Sequence, residues 1–171
     1  MREFILYSIV SILTVLGLVA AVNFFGQGRD NQNLTAETAN MVALVQNIQG
    51  VYTGNSDFTG IGAGPNGGNL ITGGIAPAGM ISGTGSTAAL KNGWGGAVTV
   101  AGNAAVSNST FLVTEPGIPQ SVCAKFATAF ASGGLLSLKI NTTQVPAPIT
   151  AANAITACNA STNTLQFESG H

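Results

Sequence analysis

Two cysteines, Cys123 and Cys158, are the residues with the clearest chemistry in this sequence. Two thiols cannot build a structural zinc site without further ligands, and the sole histidine is the terminal His171. A single disulfide is the simpler reading, and it implies an oxidising compartment. The alternative is two unrelated buried thiols in a cytosolic protein. The six Asp and Glu residues are far apart along the chain and show no paired-acid motif. The one histidine, His171, is terminal, so no nucleophile–base pair is expected. Gly60-Ile61-Gly62-Ala63-Gly64 is glycine-rich but follows no strand and opens no helix, which argues against a phosphate loop. No calcium-loop pattern is present. The sequence therefore points away from an enzyme, with no catalytic residue, cofactor or metal expected. Asn-x-Ser/Thr triplets begin at Asn33, Asn108, Asn141 and Asn159, and in an Asn- and Thr-rich chain they read mostly as chance.

Composition narrows the class. Only 6% of the 171 residues are charged, with a formal net charge of −1 and 23 glycines; a typical soluble domain is about 25% charged. Five Lys and Arg scattered over the chain cannot form a patch that holds a nucleic-acid backbone. Direct nucleic-acid binding is not expected.

The elements that must carry this chain begin at its N-terminus. Phe4 to Phe25 is a run of 22 residues without a charge, bracketed by Arg2 and Glu3 before it and Arg29 and Asp30 after it. As a helix it is long enough to cross a hydrocarbon core of ~30 Å. A cleaved secretory signal would have an apolar region of only about 7–15 residues, and Gly26-Gln27-Gly28 is a poor cleavage site. The helical pattern then resumes. Leu34, Met41, Leu44, Val45, Ile48, Val51 and Tyr52 recur at helical spacing and form one apolar stripe. Asn33, Glu37, Asn40, Gln46, Asn47 and Gln49 fall to the polar side. One helix of about 50 residues would be ~75–80 Å long. Gly26 and Gly28 interrupt it, at about 1 kcal/mol each in a helix interior, and a kink or melted stretch is expected there. The first half needs an apolar surround on all sides, which lipid or copies of the same helix supply.

Beyond Thr53 the chain reads as short elements between glycine-rich turns. Residues 60–96 read as a loop region with at most one short helix. Strands are expected at Ala97–Val100, Ser109–Thr114, Leu135–Ile140 and Thr164–Glu168. Helices are expected at Gln120–Ala131, with Pro119 in the first turn and Val122, Phe126, Ala129 and Phe130 on one face, and at Thr150–Cys158. Trp94 is expected to pack over the sheet edge. The fold class is α+β: a long N-terminal helix on an antiparallel sheet with helices on one face. The division is 1–28 for the apolar half-helix, 29–53 for the amphipathic half and 54–171 for the head.

In its architecture and in several local patterns the sequence resembles the type IVb pilins. Asp30-Asn31-Gln32-Asn33-Leu34-Thr35 is similar to the polar start of the exposed half of the pilin spine helix. Phe58-Thr59-Gly60 resembles the family's aromatic-Thr-Gly segment. Lys91-Asn92-Gly93-Trp94-Gly95-Gly96 resembles the stretch before its first strand, and Cys123 and Cys158 its two late cysteines. The resemblance covers essentially the whole chain, and within the group it is strongest to the major pilins of conjugative thin pili. It implies the pilin fold and a disulfide between Cys123 and Cys158. It also implies removal of a short leader by a prepilin peptidase and methylation of the new N-terminus; no leader precedes Met1, so the chain reads as mature. Many members carry Glu at the fifth mature position, where this chain has Ile5. The nearest carboxylate is Glu3, which places Met1, Glu3, Phe4, Ile5 and Leu6 as the assembly residues.

The function these readings imply is a structural subunit that polymerises with itself into a surface filament, used in conjugation or adhesion. It would sit in the inner membrane first and then in the extracellular pilus, with the pilus assembly machinery as partner. The alternatives are a minor pilin or secretion pseudopilin, and a membrane-anchored periplasmic binding domain.

Overall fold

A computed structural model of the protein describes residues 28–62, 67–130 and 135–170. Met1, Glu3, Phe4, Ile5, Leu6 and Gly26, with the whole charge-free run, lie outside the described residues. Gly28 is the first residue described, and it is helical and exposed. Among the described residues no helix is long and apolar enough to cross a membrane.

Residues 28–52 form helix α1. Met41, Leu44 and Ile48 are fully buried along it, with Leu34, Val45 and Tyr52 partly buried beside them. Two residues depart from the expected faces. Val51 is 59% exposed, whereas Glu37 is 1% exposed. Glu37 stands four residues before Met41 and seven before Leu44, so helical geometry places it on the buried stripe. After Tyr52 the chain turns, and Phe58 packs into the head against Tyr52 and Phe111, with ring centroids 5.4 and 4.8 Å apart.

Residues 60–96 are more ordered than a loop. They hold helix α2 (Gly68–Thr72), 3-10 turns at Ala78–Met80 and Gly85–Thr87, and a two-stranded ribbon of β1 (Ile81–Ser82) and β2 (Ala89–Leu90). Leu70, Met80 and Leu90 are buried. These single apolar residues drive the ordering; spaced among glycines, they show no period for sequence reading to detect.

The main sheet has five antiparallel strands: β3 (Thr99–Gly102), β4 (Phe111–Pro119), β5 (Ser137–Ile140), β6 (Thr143–Val145) and β7 (Thr162–Ser169). Their order is β3-β4-β7-β5-β6, so the last strand of the chain lies at the centre. β4 does not end before Pro116. Its pairing with β7 shifts between Glu115 and Ile118, where Gly117 takes φ 78°, and the strand resumes to Pro119. Proline has no N–H to donate, so a bulge is how a strand carries it. β6 was not expected, and at three residues it is too short to leave a pattern.

Helix α3 (Gln120–Ala129) begins one residue after Pro119, which caps it, and ends before the expected Ala131. Val122, Cys123, Phe126 and Ala127 are buried, while Ala129 is exposed. Helix α4 (Ala151–Ala157) is capped by Thr150, whose hydroxyl accepts from the Asn153 N–H at 3.2 Å. The inward residues of β4 are Phe111, Val113, Glu115 and Ile118, and those of β7 are Asn163, Leu165, Phe167 and Ser169. With α1, α3 and α4 they form one core. The outer face of the sheet is polar, as expected of an antiparallel sheet wetted on one side.

Candidate functional site: the spine helix and its junction with the head

Besides the bond from Asn47 Nδ2 to the Ile75 carbonyl at 2.8 Å, three groups of side chains among the described residues fasten α1 to the head. The first centres on the loop Asn92-Gly93-Trp94-Gly95-Gly96. Asn92 is 5% exposed, and its Oδ1 accepts from the Gly96 N–H at 2.8 Å and the Trp94 N–H at 3.2 Å. Its Nδ2 donates to the Pro116 carbonyl at 2.7 Å, which joins the loop to the β4 bulge. A Cβ on Gly96 would collide with that same carbonyl. Trp94 packs edge-on to Phe126, at 5.7 Å between centroids. It sits on α3 and not over the sheet edge as expected.

Beneath this loop lie two acids. Glu37 Oε2 accepts from the Gly93 N–H at 2.8 Å. Glu115 is wholly buried, close to Glu37 and Asn92. Burial pushes Glu115 well above the ordinary glutamate range, and the charge of Glu37 and the bond to it push further the same way. Burial also raises Glu37, opposed by hydrogen bonds from Gly93, Glu115 and Asn40. The absence of a paired-acid motif in sequence is thus corrected in space: α1 and β4 bring two carboxyls together across 78 positions of chain. The signal was present. Alternation along β4 puts Glu115 on the face of Phe111 and Val113, just as helical spacing puts Glu37 with Met41 and Leu44.

The second group ties α1 to α3. Ser121 Oγ donates to Asp30 Oδ2 at 2.9 Å, and Lys125 Nζ donates to Asn31 Oδ1 at 3.3 Å. Between the helices runs an open groove of about 650 Å³, lined by Leu34, Thr38, Val42 and Ala43 from α1 and by Lys125 and Ala129 from α3. Val42 is 40% exposed there. The third group lies at the other end, where Gln49 Nε2 donates to the Gly170 carbonyl.

Cys123 and Cys158 are bonded, with Cα atoms 5.9 Å apart. The bridge joins α3 to the end of α4. Beside it, buried Asn163 accepts from Asn141 Nδ2 at 2.9 Å and donates to the Ala160 carbonyl at 2.8 Å. Asn141 in turn accepts from the Thr164 N–H at 3.0 Å. This asparagine pair fixes the turn after Cys158 to the β5–β6 hairpin. On the outer face of the sheet, Glu168 accepts from Thr110, Ser137 and Asn103 at 2.7, 2.7 and 2.8 Å. The Ser137 and Thr110 hydroxyls hold its carboxyl below the ordinary range. Among the described residues no three His, Cys, Asp or Glu side chains converge as a metal site.

A long helix laid along an antiparallel sheet, with a disulfide-bounded region at the chain's end, defines the type IV pilin fold. The chain belongs to the type IVb pilin family: the family model described as PilS N terminal matches residues 31–170. The structure is similar to a type IVb pilin from Salmonella typhi, with a TM-score of 0.65 and 30% identity over 80% of this chain and 99% of that one. It also shares its fold with TcpA, a type IV pilin from the El Tor biotype of Vibrio cholerae, with a TM-score of 0.58 and 13% identity over 81% of this chain and 99% of that one. No curated protein matches the chain.

Proposed function

We propose that this pilin is the major, polymerising subunit of a type IVb pilus of the conjugative thin-pilus kind. The observation that carries this reading is one of sequence joined to structure. The charge-free run Phe4–Phe25 leads within three residues into α1, whose buried stripe is already committed to its own head. The apolar run therefore needs an external surround: inner-membrane lipid before assembly, and copies of itself in the filament afterwards. Residues 1–28 act as the filament-core half-helix, 29–53 as the head-bearing half and 54–171 as the exposed head, with Gly26 and Gly28 as the break. Met1, Glu3, Phe4, Ile5 and Leu6 set the packing of the N-termini. Glu3 is the one carboxylate near the terminus, and in an apolar filament core it needs a cationic partner such as a neighbour's amine. A prepilin peptidase and an assembly machine would deliver the subunit to the cell surface.

Electron microscopy of sheared surface material tests the reading. Filaments in which this chain is the dominant protein are expected, and their loss in Glu3→Ala with pilin levels unchanged. A chain that remains monomeric where related pilins assemble refutes it.

A further inference from the structure

Among the described residues no cation balances the two buried acids. Glu37 is 1% exposed and Glu115 is 0% exposed. With both ionised, Glu37 Oε1 and both oxygens of Glu115 are without a partner. Buried carboxylates in that condition are strongly unfavourable. The charged groups on the surrounding elements are otherwise occupied or turned away. On α1, Asp30 accepts from Ser121. Lys125 on α3 donates to Asn31. Arg29 on α1 and Lys91 at the head of the loop are exposed. Glu168 on β7 and Lys139 on β5 belong to the outer face. Among the described residues, the charge of Glu37 is the one that acts on Glu115, and burial and hydrogen bonds act on Glu37.

We propose that Glu115 and Glu37 hold one proton between them, forming a proton-operated latch that fastens the spine helix to the head. Glu115 carries the proton and donates it to the Glu37 carboxylate, which accepts the Gly93 N–H on its Oε2. One proton thus ties α1, the Asn92–Gly96 loop and β4 together. Its loss leaves two adjacent negative charges in a buried place, and the relief open to the fold is separation of α1 from the loop and bulge. The sign follows from the raised folded values. The latch contributes fully below the ordinary value of 4.5 and is lost as pH rises through the raised one.

The test uses the full chain in detergent micelles. Infrared spectra of carbon-13 glutamate-labelled and unlabelled protein are taken at neutral pH in a Glu3→Gln background. That leaves Glu37, Glu115 and Glu168, of which Glu168 is ionised. One isotope-sensitive protonated-carboxyl band is expected, and it disappears in Glu115→Gln, whose amide still donates to Glu37. The thermal midpoint falls by several degrees between about pH 5 and about pH 9 in the parent and is flat in Glu115→Gln. Glu37→Gln makes the dependence smaller, leaving the part that burial of Glu115 sets, and serves if Glu115→Gln fails to fold. A parent spectrum without protonated glutamate, or the same pH slope in the parent and in a folded Gln variant, overturns the proposal.

Discussion

Gln49 near the end of α1 donates its Nε2 to the Gly170 carbonyl at 2.6 Å, across 121 positions of chain. The same nitrogen lies 3.4 Å from Ser169 Oγ. One amide therefore ties the spine helix to the end of β7, the central strand. Gly170 is buried, so truncating the donor leaves its carbonyl short of a partner, at a cost of about 1–3 kcal/mol. Gln49→Leu is expected to lower stability by that amount in denaturant unfolding and to speed amide exchange at the end of β7. Unchanged exchange there would show that the strand end does not depend on α1.

The disulfide closes a loop between positions 35 apart, and it links the buried faces of α3 and α4. Chain-entropy arguments give such a loop roughly 4 kcal/mol of stability. Cys123→Ser is expected to lose about that much in denaturant unfolding under oxidising conditions. Under reducing conditions the wild-type and variant midpoints should converge. A variant as stable as the oxidised wild type would mean the bridge adds nothing to the packing of Val122, Phe126 and Ala154.

The fold class was legible in the sequence because its strongest signals are periodic. The stripe Met41, Leu44 and Ile48 and the α3 residues Val122 and Phe126 recur at helical spacing, and all are buried. What escaped was whatever rests on a single residue. Strand β4 runs through Pro116 because Gly117 adopts a positive φ and the bulge absorbs the missing donor. The Asn92 and Asn163 anchors left no signal in the sequence, since nothing local tells an asparagine that caps a loop from one in solvent. Glu37 and Glu115 each carried the right spacing for burial. Residue type outweighed spacing, and only the fold shows that each acid meets the other.

Two glycines should respond to alanine with opposite signs. On Gly96 a Cβ collides with the Pro116 carbonyl and comes within 3.0 Å of Asn92 Nδ2. Either the loop or the bulge must move, so Gly96→Ala is expected to destabilise by about 1–3 kcal/mol. Gly50 is helical and exposed, and a Cβ there meets nothing within 4 Å. Gly50→Ala is expected to stabilise by about 0.5–1 kcal/mol through helix propensity alone. Thermal unfolding of the two variants beside wild type reads both signs. A neutral Gly96→Ala would mean the loop tolerates displacement from β4.

Glu168 predicts the acid limb of stability. Its carboxylate gathers Thr110 just before β4, Ser137 from β5 and Asn103 after β3, so one charged group stitches three strand ends on the outer face. These donors favour the ionised form, and the folded value is lowered. The contribution is therefore present above the ordinary value of 4.5 and is lost as pH falls through the lowered one. This is the reverse of the buried pair, whose contribution is lost as pH rises. Stability should accordingly fall on both sides of a maximum, with different residues responsible for each side. Glu168→Gln is expected to flatten the acid side and leave the alkaline side as it was. A residual acid slope should remain from Asp57, whose carboxylate accepts the Thr59 N–H at 2.9 Å and is likewise lowered. Midpoints measured across the range for wild type, Glu168→Gln and Glu115→Gln separate the two limbs. A Glu168→Gln variant with an unaltered acid limb would show that the strand ends hold together without the charge.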